Sequence, residues 1–483
     1  MKKYVIAVDQ STSASKAFLV DARGEIVRRA SLPHAQRYPA PGRVEHDARE
    51  IFQNVVQIIR EVREGIPGGD IAALSITNQR ETTVLWDRRT GEPVCPAVVW
   101  QDVRGESFCN AHAEQNALVH SLTGSGLSPY LPASKIAVLL DEQPGLRARA
   151  EAGEICMGTI ESYLCFRLNG GSFVADVSNA SRTQLLNLAD LSWDERLLKL
   201  FGIPGCMLAE SVIPCDGDFG FHEGIPITGV LGDSFAALYG QGCHEAGSAK
   251  VTYGTGSSVM MNLGDRPVIF AEGLTTAVAW SEGGRVAYET EGNITCAGDT
   301  LIYLRDNLRM FDSVDEIEKL AHTVSSADGV ALVPAMSGLG APYFDAGARA
   351  VLCGMNRGTT RAHVARAALE SMAQQVADVF ALMRRESGFS PRRLMADGGA
   401  VQNALLMQLQ ADLLNCELRC PNASELSALG AAYMGGIKTG LYADFDAIPA
   451  RHQKPMSYQP KMREETREEL RALWAKAVRR ARI

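Results

Sequence analysis

Twice in this chain an apolar strand runs into a short turn and returns as a second strand, once at the start and once near the middle. The first copy reads Tyr4–Val8, a polar turn from Gln10 to Ser15, then Ala17–Val20. The second reads Ala249–Tyr253, a glycine- and hydroxyl-rich turn from Gly254 to Ser258, then Val259–Met261. A strand–turn–strand unit opening each half predicts an internally duplicated α/β fold with a cleft between two related domains. The length agrees, because 483 residues exceed what one ordinary core organises.

The segments around the hairpins fit the same plan. A turn at Asp21-Ala22-Arg23-Gly24 leads into a strand at Glu25-Ile26-Val27, and Ile71–Ile76 reads as a buried strand. Glu45-His46-Asp47 precedes Ile51, Val55, Ile58, Ile59 and Val62, which mark one face of a helix with an acidic start. In the second half a long helix is predicted from about Arg361 to Arg385. A short strand at Leu394-Met395-Ala396, a turn at Asp397–Ala400 and a helix bearing Leu405, Leu406, Leu409 and Leu413 follow it. The charged tail from Glu464 reads as a solvated terminal helix.

Charge and composition exclude several partners. Hydrophobic residues make up 46% and charged residues 22%, as in an ordinary globular protein, and a net charge of −8 offers no footprint for nucleic acid or an anionic membrane. No apolar run reaches spanning length, and Asp9 cuts the apolar start too early for a signal peptide. The eleven cysteines are dispersed and odd in number, so reduced thiols and a cytoplasmic location are expected. Cys416 and Cys420 are the closest pair, and without a second pair or histidines they are not expected to bind metal.

Four motifs carry candidate chemistry. In Asn78-Gln79-Arg80-Glu81-Thr82, Arg80 beside Glu81 at a strand end suits a small ligand made of hydroxyls, each of which both donates and accepts. A surface ion pair is the plainer alternative. Asp9-Gln10-Ser11-Thr12-Ser13-Ala14-Ser15-Lys16 supplies hydroxyls, a cation for phosphate and a carboxylate for Mg²⁺, while Gly254-Thr255-Gly256 allows close backbone approach to a phosphate or is only a turn. Asp233 falls where the strand Gly229–Gly232 gives way to a helix. It reads as a helix cap, a role compatible with catalysis because a carboxylate there is rigidly held. There is neither a P-loop nor a Gly-x-Gly-x-x-Gly fingerprint.

Together these segments resemble the FGGY family of carbohydrate kinases. The resemblance runs nearly end to end, through VDQSTSASKA, PGRVEHDAREI, ITNQRETTVLWD, VVWQD, VSNASRT, VLGDSFAALYGQ, YGTGSS, VPAMSGLGAPYFD, DGGAVQNALLMQLQADLL and SALGAAYMGG. The stretch from Ala350 to Glu370 follows the family's second signature. The resemblance implies two duplicated actin/hexokinase-like (ribonuclease H-like) domains, residues 1–242 on the polyol and phosphate side and 243–483 on the nucleotide side. It implies ATP and Mg²⁺ in the cleft, a homodimer or higher homo-oligomer, and transfer of the γ-phosphoryl group to the terminal hydroxyl of glycerol. Another short polyol or ketose is the alternative substrate. A non-catalytic ATP-binding regulator is the remote alternative, and Arg80-Glu81 with Asp233 argue against it, since a nucleotide switch needs no polyol pocket.

Carried over by motif, Arg80, Glu81, Trp100, Tyr130, Asp233 and Ser234 would line the polyol pocket, with Asp233 as general base. Thr12, Ser13, Lys16 and Thr255 would face the nucleotide phosphates, and Gly298, Gly399 and Asn403 would cradle the adenosine. Asp9, with Asp233, would hold the metal. Four departures stand out. Ser234 and Ser258 replace a usual glutamine and aromatic residue, which predicts a more polar and roomier pocket; Lys16 replaces a usual arginine; and Val138 stands where tryptophan is usual. The loop Asp216–Gly224 is short and lacks the basic cluster that binds fructose bisphosphate in bacterial relatives, so inhibition by that sugar phosphate is not expected.

Overall fold

In this computed structural model, which describes residues 2–271, 273–452 and 455–482, both hairpins form and each becomes the centre of a sheet. Strand β1 (Tyr4–Gln10) pairs antiparallel with β2 (Ala14–Asp21), setting Asp9 opposite Lys16. The Asp21 carboxylate accepts the backbone N–H groups of Arg23 and Glu25 at 2.9 and 3.0 Å, turning the chain into β3 (Ile26–Pro33). Asp47 caps α1 (Ala48–Val62), whose buried residues include the apolar face read from the sequence. Strand β4 (Ile71–Asn78) is buried along its whole length and lies parallel to β1; β5 (Ile225–Gly232) lies parallel to β4 and runs straight into α2 (Asp233–Gly240).

The second half repeats the pattern. Strands β6 (Ala249–Tyr253) and β7 (Ser257–Gly264) form the hairpin, followed by β8 (Thr275–Glu282) and β9 (Arg285–Ile294). After them come the long α3 (Arg361–Ser387), β10 (Arg393–Gly398), α4 (Ala404–Leu414), β11 (Glu417–Cys420) and α5 (Leu426–Lys438). The central order β9-β7-β6-β10-β11 matches β3-β2-β1-β4-β5 of the first half, with the same succession of antiparallel, antiparallel, parallel and parallel pairings. Strand β8 is an addition at the outer edge.

Helix α5 fastens the halves together, and glycines permit it. Gly229, at φ +76°, lies where an added Cβ would sit 2.6 Å from the Ala431 carbonyl oxygen, so β5 and α5 meet backbone to backbone. A five-stranded sheet of short segments between residues 36 and 159 lies in the first half and carries the loop with Trp100. The terminal helix Glu464–Ala481 differs from expectation. Trp474, Ala477, Val478 and Ala481 recur at helical spacing and bury one face against Ala331 and Val333, and the Trp474 indole donates to Asp378 at 2.6 Å. All eleven cysteines are free thiols, Cys416 and Cys420 among the buried ones. Among the described residues no helix is long and apolar enough to cross a membrane.

Candidate active site

Arg80 and Glu81, adjacent in sequence, do not pair with each other. Where β4 ends, Glu81 adopts φ +62°, a left-handed conformation uncommon for a non-glycine residue and concentrated at functional sites. The Arg80 guanidinium donates twice to Glu291 on β9, at 2.8 and 3.1 Å, and its Nε lies 3.3 Å from Asp233 Oδ1. It also lies over the Phe235 ring, 4.8 Å from the centroid. Glu81 accepts from Arg182 Nε at 2.6 Å. All four members of these two pairs are buried, which rules out a surface ion pair. Burial alone would raise the Glu291 carboxyl. The charges of Arg80 and Arg182, with hydrogen bonds from Arg80 and from Ser258 at 2.8 Å, outweigh it and hold the group at about 2.

Arg182 and Glu291 were not singled out from the sequence. Arg182 lies inside VSNASRT, and Glu291 alternates with Glu289 along a strand whose neighbours give no local hint of a partner so distant in the chain.

Asp233 opens α2 directly after β5. Its Oδ1 accepts the Ser234 backbone N–H at 2.6 Å, and its side chain remains 36% exposed to the cleft. Burial of the surroundings raises its carboxyl, with the Arg80 charge opposing. At the end of β1, Asp9 is pushed up to about 7, first by burial and then by the Asp233 charge, against the opposing pull of Lys16. No hydrogen bond reaches the Asp9 carboxylate from the described residues. A carboxylate without donors, whose ionisation the nearby Asp233 charge disfavours, suits a hard divalent cation. Among the described residues no group of three potential ligands gathers, so phosphate oxygens and water would have to complete the shell. That donor set fits Mg²⁺ carried in with a nucleotide.

Trp100 and Tyr130 form an aromatic corner, with ring centroids 5.5 Å apart at 58°. The Trp100 indole donates to the Thr12 hydroxyl at 3.0 Å, and its backbone N–H donates to Thr82 at 3.2 Å. Beneath the corner, the buried Lys135 donates to the carbonyls of Val99 and Trp100 at 3.0 and 2.9 Å. Burial drives its pKa down to about 7, with Asp102 and Glu81 opposing. Thr12 therefore joins the β1–β2 turn to this corner. Ser13 lies beside it in the same turn, where its carbonyl accepts the His34 backbone N–H at 3.2 Å.

Lys16 reaches across the cleft to Glu425, 3.1 Å away at the start of α5. Tyr253 and Gly398 are register partners, so the turn holding Thr255 and the loop holding Gly399 and Asn403 leave the second sheet at the same end. The Thr255 carbonyl accepts the N–H groups of Ala297 and Asp299 at 2.8 and 3.0 Å, tying this turn to the helix Gly298–Asp306. A Cβ at Gly298 would lie 2.7 Å from the Gly254 carbonyl oxygen, so only glycine permits this join. Asn403 caps α4, its Oδ1 accepting the Leu406 N–H at 2.9 Å. Asp233, Ser234, Lys250, Thr252, Asp397 and Glu425 share a cavity of about 660 Å³. Ser234 therefore lines the space continuous with the second half.

A duplicated fold around a cleft that holds Asp9, Asp233 and a buried arginine–glutamate network is the architecture of a small-molecule site, and the family match makes it that of a kinase. Residues 4–240 match the N-terminal domain and residues 249–439 the C-terminal domain of the FGGY family of carbohydrate kinases, and the chain belongs to that family. It is 46% identical over 488 residues to the glycerol kinase of Alkalilimnicola ehrlichii, covering 99% of this chain and 98% of the relative. It is also 46% identical over 489 residues to that of Citrifermentans bemidjiense, with the same coverage. Among solved structures it is similar to Plasmodium falciparum glycerol kinase with ADP, at a TM-score of 0.95 and 31% identity, covering 99% of this chain and 98% of that one.

Proposed function

We propose that this protein transfers the γ-phosphoryl group of ATP to a terminal hydroxyl of glycerol, giving glycerol 3-phosphate. The observation that carries the reading is the buried pairing of Arg80 with Glu291 and of Glu81 with Arg182 beside Asp233, in a chain so similar to glycerol kinases. Paired in this way, Arg80 and Glu81 are fixed in position and offer their remaining donors and acceptors to polyol hydroxyls. A ligand lacking one hydroxyl would leave one of these buried donors or acceptors unsatisfied. Trp100 and Tyr130 would cover its carbon skeleton.

In this reading Asp233 accepts the proton of the attacking hydroxyl while the Arg80 Nε holds the carboxylate in line. Asp9 and Asp233 would hold Mg²⁺, which when bound neutralises charge on the phosphates. Thr12, Ser13 and Thr255 would present hydroxyls and amides to the phosphates, and Gly298, Gly399 and Asn403 would border the adenosine. Residues 1–242 would carry the polyol side and 243–483 the nucleotide side. A cytoplasmic location and assembly as a homo-oligomer belong to the same proposal.

A second reading, action on a four-carbon polyol or on dihydroxyacetone, is favoured by Ser234, which leaves space beside Asp233. The test is a coupled ADP-release assay over glycerol, erythritol and dihydroxyacetone. Glycerol should give the highest kcat/KM, and a higher value for either competitor would transfer the assignment to it.

A further inference from the structure

Lys250 is a buried cation that no carboxylate among the described residues pairs with. It lies on β6 with 1% of its surface exposed, and its ammonium makes one hydrogen bond, to the Thr252 hydroxyl at 2.9 Å. Among the described residues no carboxylate comes within ion-pair distance of it. Lys16, the other lysine at the cleft, is paired with Glu425. A buried ammonium is expensive unless an anion answers it.

Two acids lie near Lys250 without pairing with it. Glu289 is fully buried on β9, yet neither of its carboxyl oxygens has a hydrogen-bond partner. Burial and the Glu291 charge push its carboxyl well above the ordinary range, against the opposing charges of Arg80, Arg182 and Lys250, so its charged form is disfavoured. Asp397, opposite Thr252 in register, gives one oxygen to the Gln241 amide at 2.6 Å, and its other oxygen is buried without a partner. Neither acid forms an ion pair or hydrogen bond with Lys250. Yet Lys250 borders the cavity that also contains Asp233 and Ser234. The missing anion is therefore to be sought in the ligand.

We propose that Lys250 binds the terminal phosphate of the nucleoside triphosphate, its unmatched ammonium completing the cleft opposite Asp233. This rests on the kinase reading above and assigns a phosphate contact within it. An ammonium is a point charge that needs no forked geometry, and it suits a phosphoryl group that moves during transfer.

The test is calorimetric binding of adenosine, ADP and a non-hydrolysable ATP analogue with Mg²⁺ to the full chain and to Lys250→Met, Lys250→Arg and Glu289→Gln. Lys250→Met should weaken the triphosphate analogue by about ten- to a hundred-fold, ADP by less and adenosine by less than about twofold. Lys250→Arg should recover most of that loss. Glu289→Gln alters a side chain that makes no hydrogen bond or ion pair with Lys250 and should keep analogue affinity within about threefold. Equal losses for all three ligands, an unchanged analogue affinity, or a loss that arginine does not recover would overturn the proposal. A tenfold gain in Glu289→Gln would overturn it too, by making Glu289 the counter-ion that the chain already supplies. If Lys250→Met does not fold, the arginine and glutamine variants still decide. Absence of turnover on every polyol would sink the proposed function but leave these binding differences standing.

Discussion

Replacing Glu291 by glutamine changes few atoms and removes one buried charge. In the wild type its carboxyl is held at about 2 against an ordinary 4.5, a preference for the ionised form equivalent to about 3 kcal/mol. Glutamine also leaves Arg80 charged, buried and answered mainly by Asp233, and breaking a buried pair from one side costs about 3–5 kcal/mol. Glu291→Gln should therefore lower unfolding stability at pH 7 by about 3 kcal/mol in urea titrations with m unchanged. Because the folded-state value lies below the unfolded one, the Glu291 contribution is fully present above pH 4.5 and is lost as pH falls toward 2. The advantage of wild type over variant should thus stay level from about pH 8 to 5 and shrink below that. In kinetics, Arg80 turning toward Asp233 should raise the polyol KM by about tenfold or more while the ATP KM moves less than about threefold. A stability loss under about 1 kcal/mol, or an advantage that widens on acidification, would refute the account of Arg80 as a charge clamped by Glu291.

Asp233→Asn should keep nucleotide binding and lower kcat by about 10²–10⁴-fold, and a residual rate above about a tenth of wild type would contradict a base role. Ser258→Ala removes one hydrogen bond to Glu291 and should cost about 1–3 kcal/mol of stability while raising the polyol KM more than the ATP KM; equal changes would mean Ser258 does not act through Glu291. Asp9 must lose its proton to bind a cation, and its value of about 7 places that loss near neutrality. Half-saturating Mg²⁺ in the assay should accordingly fall as pH rises through 7, and a flat dependence between about pH 6 and 8 would remove Asp9 from the metal site.

The frame of the fold was readable because its signals are local. Ile71–Ile76 became a strand buried on both faces, and the spacing of Ile51, Val55, Ile58, Ile59 and Val62 gave α1 with its Asp47 cap. The terminal helix was misjudged because its charge hid a four-residue stripe, Trp474, Ala477, Val478 and Ala481, that docks on the short strand Ala331–Val333. The importance of Arg80 and Glu81 was legible, but their partners were not. Glu291 meets Arg80 across 211 positions and Arg182 meets Glu81 across 101, distances over which spacing carries no information. The left-handed backbone of Glu81 likewise has no sequence signal, since glutamate is not a residue that favours it.

The two hairpins show how one scaffold came to carry two chemistries. In the first, the pair one step inside the turn is charged: Asp9 faces Lys16, and each addresses the cleft, Lys16 through Glu425. In the second, the corresponding pair is Thr252 facing Ser258, and both are hydroxyls. Neither hydroxyl is idle, because Thr252 receives the Lys250 ammonium and Ser258 donates to Glu291. The first hairpin thus places its charges directly on the strands that meet the turn. Beside the second, the charges lie two residues further back, on Lys250 of the hairpin and on Glu291 of the adjoining β9, and short hydroxyl side chains bond to them. A carboxylate at Thr252 would neutralise Lys250, and an ammonium at Ser258 would compete with Arg80 for Glu291. Exchanging a charged pair for a hydroxyl pair therefore keeps both longer-range contacts available, the Lys250 ammonium for a phosphate in the proposed reaction and Glu291 for Arg80.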